Sequence, residues 1–189
     1  MDRTVPLGTL LHDKATTPIA RLRQEHDVIL RALALTERLG QDLEAGEPAD
    51  RTALAWLIDF FDTFADRCHL AKEEQHLFLA LERRGIPREG GPVAVMLLEH
   101  DEVRAFLRAM RQGDDQQTAE AIRAYVALLR AHIDKENGVL FLLAEQVLPD
   151  EEQRMLLQAF DVVEQEVGGP GVHARFLAEL ARLDRRTRP

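Results

Sequence analysis

The segment CHLAKEEQHLF, residues 68–78, sets two histidines and two glutamates into a stretch that otherwise has the composition of a helix. At helical spacing its core-facing line runs Leu54, Ile58, Phe61, Ala65, His69, Glu73, His76, Ala80. Three polar side chains thus stand where a buried helix face calls for aliphatic ones. A single histidine on such a face is most often a satisfied core residue. A carboxylate is harder to accommodate, because an ionised one in an apolar interior costs several kcal/mol unless it is paired or binds a metal.

The same feature recurs outward from this segment. Turn signals divide the chain at Gly46/Pro48/Asp50, at Gly85-Ile86-Pro87 with Gly90-Gly91-Pro92, at Gly113-Asp114-Asp115 and at Pro149. They leave four long helices, over about 18–45, 51–84, 92–112 and 115–147, and no stretch alternates with period two. The first helix has the stripe Ile19, Leu22, His26, Ile29, Leu33. The third has Val93, Met96, His100, Val103, Leu107, Met110, and the fourth Ile122, Tyr125, Leu129, His132, Glu136, Val139, Leu143. Every helix places a histidine in the apolar line, and two add a glutamate one turn later. Lys72, Arg104 and Lys135 lie off the stripes, so ordinary ion pairing is not expected to satisfy these acids.

Four helices joined by short turns give an all-α fold, an antiparallel up-down-up-down four-helix bundle. Two additional C-terminal helices, about 150–167 and 172–183, are separated by the GGPG run at 168–171. The expected organisation is an N-terminal extension (1–17), the bundle (18–148) and a C-terminal helical extension (149–189). No internal repeat is evident. At a rise of about 1.5 Å per residue, His26 and His69 each lie roughly 28 Å from the turn that joins their helices, so the two face each other. His100 falls at the level of Glu73 and His76 by the same measure, with His132 less well matched.

Composition narrows the function. Leu, Ala, Glu and Arg dominate, and the net charge of −9 argues against nucleic acid as a partner. Cys68 is the single cysteine, which leaves no intramolecular disulfide and no thiolate cluster. No apolar run reaches the roughly 18 residues of a membrane span, and no signal-peptide pattern is present, so a soluble cytoplasmic protein without membrane contact is expected.

A His-x-x-x-Glu pair stacks its side chains one turn apart, so both can reach a metal at the bundle centre. Two such pairs plus one histidine from each remaining helix give four nitrogens and two carboxylates, the ligand set of a paired metal site. Nitrogen and oxygen without thiolate suit iron or manganese, and a bridged pair favours iron; zinc would also fit.

The segments EHDVI (25–29), HLAKEEQHLF (69–78), LLEHDEVR (97–104) and HIDKENGVLF (132–141) together resemble the hemerythrin-like, or HHE cation-binding, family. The resemblance implies a non-haem di-iron centre, two irons per chain with an oxo, hydroxo or water bridge, held by His26, His69, Glu73, His100, His132 and Glu136. His76 reads either as a seventh ligand or as a histidine outside the ligand set. The sequence departs from the oxygen-carrying members at two places. Arg104 follows His100 where they carry a second histidine, and Glu136 follows His132 by four residues, with Asn137 at the fifth position where they carry aspartate. Reversible oxygen carriage is therefore not expected, and reaction with oxygen, peroxide or nitric oxide is. The alternatives are an iron- or oxygen-responsive sensor with the C-terminal helices as output, or iron storage and delivery. Whether the protein is an enzyme stays open at this point. A homodimer through the C-terminal helices is a further expectation. Glu74 reads as solvated, Tyr125 as bundle core, Cys68 as packing, and His12 and His173 as outside the site.

Overall fold

The structure, a computed structural model, describes residues 15–186; the expected extension up to residue 14, with His12, lies outside them. Six helices form it. α1 spans Pro18–Glu44, α2 runs over 51–83, α3 spans Pro92–Gln112 and α4 runs over 115–147. α5 (Asp150–Glu166) and α6 (Pro170–Arg186) follow. The ends obey local chemistry. Thr17 caps α1 by accepting the Ala20 amide at 3.1 Å, with Pro18 in the first turn. Asp50 caps α2 in the same way through Ala53, and Asp114 with Gln117 closes a reciprocal capping box on α4. Gly85, just past α2, turns the chain at φ 87°, a left-handed conformation open mainly to glycine.

The helices alternate in direction and bury the predicted stripes. On α3 the buried residues are the six of its stripe and no others. Apolar packing falls into two bodies. One joins Val28–Leu43 of α1 to Phe60, Phe61, Phe64, Val103, Leu107, Tyr125 and Leu129. The other joins Ile19 and Leu22 to Leu77, Phe78, Leu81, Val93, Met96, Leu140 and Phe141. His26 and His100 fall between them in chain position, and His69 and His132 lie at the edge of the first, each one residue before its last member on that helix. The expected layer is present, sandwiched by two apolar slabs.

α1 and α4 approach closely at Gly40, where an added Cβ would lie 2.7 Å from Ile122 Cγ2. The C-terminal helices pack on the α1/α2 side. α5 adds Leu156 and Phe160 to the second slab, and α6 adds Leu180 and Leu183 to the first. The two helices therefore cross the level of the polar layer near Glu164 and His173. Among the described residues, no helix is long and apolar enough to cross a membrane.

Neither α2 nor α4 is a plain α-helix at this level. Residues Phe61–Leu70, Glu73–Leu77 and Glu136–Leu140 are wound as π-helix. The carbonyls of Glu73 and Glu136 accept from the amides of Phe78 and Phe141, five residues on. The wider turn advances each residue by a smaller angle. Three residues past either glutamate, the side chain consequently falls short of the core face that α-helical spacing predicts. His76 is half-buried, with its ring 6.4 Å from that of Phe160, and Val139 is 52% exposed. Leu77 and Leu140, one residue later, take the buried places instead.

Candidate metal centre

The layer brings together six of the seven predicted ligands. His26, His69, Glu73 and Glu136 place one donor atom each within 4.8 Å of one another, and so do Glu73, His100, His132 and Glu136. All six residues are buried, and the two glutamates belong to both groups. His76 belongs to neither, for the helical reason given above.

Each histidine turns Nε2 inward. His26 Nε2 lies 3.2 Å and His132 Nε2 3.3 Å from Glu136 Oε2. His69 and His100 Nε2 each lie 3.5 Å from a Glu73 oxygen. What fixes the rings is on their other side. His69 Nδ1–H donates to Glu25 (2.8 Å), His100 Nδ1–H to Glu74 (2.7 Å), His132 Nδ1–H to Glu99 (2.9 Å), and His26 Nδ1–H to Asn137 Oδ1 (3.1 Å). An ionised carboxylate can only accept, as does the Asn137 amide oxygen at His26, so each ring carries its proton on Nδ1 and points an Nε2 lone pair at the centre. The four contacts form a closed ring: α1 orients α2, α2 orients α3, α3 orients α4, and α4 orients α1. The three carboxylates are themselves anchored, Glu25 by Lys72, Glu74 by Arg104 (2.9 Å) and Glu99 by Lys135.

The contacts of the first half of the chain recur in the second, and this corrects the expectation of no repeat. His, Lys, Glu, Leu and Phe stand at the same spacing in HLAKEEQHLF and HIDKENGVLF, and Glu-His-Asp recurs at 25–27 and 99–101. Phe78 stacks on His100 (5.8 Å) and Phe141 on His26 (5.3 Å). The ring pairs His26/His69 and His100/His132 are 4.7 and 4.8 Å apart.

Without a cation this arrangement is poorly satisfied. His26 Nε2, His69 Nε2 and all four oxygens of Glu73 and Glu136 are buried and make no aligned hydrogen bond. His100 Nε2 and His132 Nε2 face each other at 3.2 Å, although both Nδ1 protons are committed elsewhere. The electrostatics show the same tension. Burial, reinforced by the Glu136 charge, pushes the Glu73 carboxyl well above its usual range. Burial acts likewise on Glu136, but His132 and His26 outweigh it and hold that carboxyl well below. Burial depresses His69 to about 4 and lowers His100; at His132 the nearby Glu136 overcomes burial and raises it. Glu25, despite burial, is held far below the carboxylate range by Lys72 and His69. Unpartnered donors with inward lone pairs and two shared carboxylates fit a pair of cations.

Several sequence expectations change here. Glu74 is not a solvated acid but the acceptor for His100. Lys72, off the stripe, is nonetheless fully buried between Glu25 and Glu164 (2.7 Å). Arg104 and Asn137, the two departures from the carriers, have work of their own: Arg104 bridges Asp66 (2.7 Å) and Glu74, and Asn137 orients His26. His173 is drawn close to the site, its Nε2 3.3 Å from the Cys68 sulfur. Tyr125 is core, 4.9 Å from the Phe61 ring. Glu25 and Glu99 could have been found in the sequence, since each directly precedes a histidine of the central cluster.

A helical bundle with histidines and carboxylates converging on one buried layer defines the class of histidine–carboxylate metal-binding bundles. Within that class the chain belongs to the hemerythrin family: residues 17–144 match the Hemerythrin HHE cation binding domain. It is also 28% identical over 151 residues to the iron-sulfur cluster repair protein YtfE of Enterobacter sp. (strain 638). That match takes in 74% of this chain and 66% of the relative, a little under two thirds of its length.

Proposed function

We propose that the protein is a non-haem di-iron protein whose centre reacts with a small diatomic molecule or peroxide. The observation that carries this is the sharing of Glu73 and Glu136 between two four-residue donor groups, which supplies six donors where a lone structural metal needs four. His26 and His69 would hold one iron, His100 and His132 the other, with the glutamates common to both. A bound pair of irons would supply one-electron redox changes and open positions for a small ligand. The chain's own part is to keep four Nε2 lone pairs aimed inward through the Nδ1 contacts and to exclude bulk water behind Phe78 and Phe141. It also sets two anionic carboxylates in the centre. With four neutral nitrogens and two carboxylates, the set is richer in anionic oxygen than that of the carriers it resembles, which favours the ferric state.

Elemental analysis after iron-replete expression should give close to two irons per chain; one zinc and no second metal would rule the reading out. Anaerobic reduced protein mixed with oxygenated buffer should oxidise without reversal under argon. A spectral change that reverses under argon would instead make the protein a carrier.

A further inference from the structure

Lys72 has no exposed side-chain surface, and its ammonium sits between two carboxylates from different parts of the chain. Glu25 offers Oε1 to Lys72 and Oε2 to His69, so the lysine sets the very group that sets the histidine. The second carboxylate, Glu164, belongs to α5, beyond the residues that match the family. Arg21 ties the same stretch of α5 to α1, 2.6 Å from Asp161 and 3.6 Å from Glu164.

The other half of the molecule serves as an internal control. Lys135 repeats the role of Lys72 by holding Glu99 against His132, yet it is 42% exposed and among the described residues has Glu99 alone. The added carboxylate exists only on the half covered by the C-terminal helices. The buried ammonium there cannot turn to water if Glu164 is removed. Its charge would then fall on Glu25 alone, drawing that carboxylate toward Lys72 and loosening its hold on His69 Nδ1.

We propose that Glu164 and Lys72 are positioning residues for the metal position held by His26 and His69, which reaches full affinity only with α5 docked. The inference rests on the metal-centre reading above. Partners behind a metal-bound histidine are worth roughly 10–100-fold in affinity. Glu164 acts one residue further out, so the low end, about tenfold, is expected.

The test uses the full chain and Co(II) as a spectroscopic probe, titrated anaerobically against metal-free protein. Wild type should take up two Co(II). Glu164→Ala should weaken one binding step about tenfold and leave the other unchanged. Asp161→Ala, which removes an exposed contact from the same helix, should match wild type in both. In the metal-free protein, nitrogen NMR should show His69 protonated at Nδ1 in wild type and a mixture of tautomers in Glu164→Ala. Should Glu164→Ala fail to fold, Glu164→Gln removes the charge while keeping an acceptor for the buried lysine, and a smaller loss confined to the same binding step is expected. Two wild-type-like binding steps in the folded Glu164 variant would overturn the inference while leaving the metal centre intact. Equal losses in the Asp161 and Glu164 variants would overturn it too, reducing α5 to a packing role. Uptake of fewer than two Co(II) by wild type would overturn the metal-centre reading itself.

Discussion

Replacing Glu73 with leucine should make the metal-free protein more stable while destroying metal binding. Glu73 has no exposed surface, and neither of its oxygens makes an aligned hydrogen bond. Its polar neighbours include the Nε2 atoms of His69 and His100, both at 3.5 Å, and the Glu136 carboxyl. Leucine is close in volume, and it would stand in the layer between the two apolar slabs. A buried polar group left without a hydrogen-bond partner costs about 1–3 kcal/mol, and replacing it with a packed apolar side chain recovers that cost. At roughly 2–4 °C per kcal/mol for a chain of this size, the midpoint should rise by about 4–8 °C for a gain of about 2 kcal/mol. Wild type should recover that deficit with metal: at a free concentration 100 times the dissociation constant, binding contributes about 2.7 kcal/mol. The assay is calorimetric melting of EDTA-stripped wild type and Glu73→Leu, each repeated anaerobically with Fe(II). Wild type should gain on metal addition and the variant should not. A stripped variant that melts below stripped wild type would mean that Glu73 is satisfied by the protein itself, and the argument from orphaned donors would collapse.

Three further outcomes are expected. His76→Ala should leave metal content and spectra unchanged, because its ring lies against Phe160; loss of one metal equivalent would restore it as a ligand. Burial pushes the Cys68 thiol up to about 12, so it should resist Ellman's reagent in the native protein and react fully in denaturant; rapid native labelling would show that the α2/α6 contact opens. Gly40→Ala should lose about 1 kcal/mol, since overpacking against Ile122 costs about 1–3 kcal/mol and helix propensity returns about 1; an unchanged denaturation midpoint at unchanged slope would show that α1 and α4 separate there freely.

The bundle was legible because its helix ends carry local signals: Pro18, Gly46, Asp50, Gly85, Gly91-Pro92, Gly113-Asp114 and Pro149 fall within a residue or two of the observed ends. The six side chains that gather at the centre were legible as well, since polar residues on an apolar stripe stand out against it. What periodicity could not supply was the π winding. It depends on side chains from other helices gathering around Glu73 and Glu136, and an α-helical rule therefore carried His76 and Val139 inward. The groups behind the histidines were hidden for a related reason. Glu25, Glu74 and Glu99 each orient a ring on another helix, and Lys72 lies off the stripe yet is enclosed only once α5 is in place. Spacing along one helix cannot reveal a contact made across two.

Asn137 is the odd member of the ring of orienting groups, an amide among three carboxylates. A carboxylate partner lends its imidazole anionic character, and an amide lends far less. His100 and His132 are both backed by carboxylates, whereas of His26 and His69 only the second is. The two ends of the centre are thus electrically unlike, and on the di-iron reading proposed above the His100/His132 side would favour the more oxidised iron. An otherwise duplicated site acquires a direction from a single side chain.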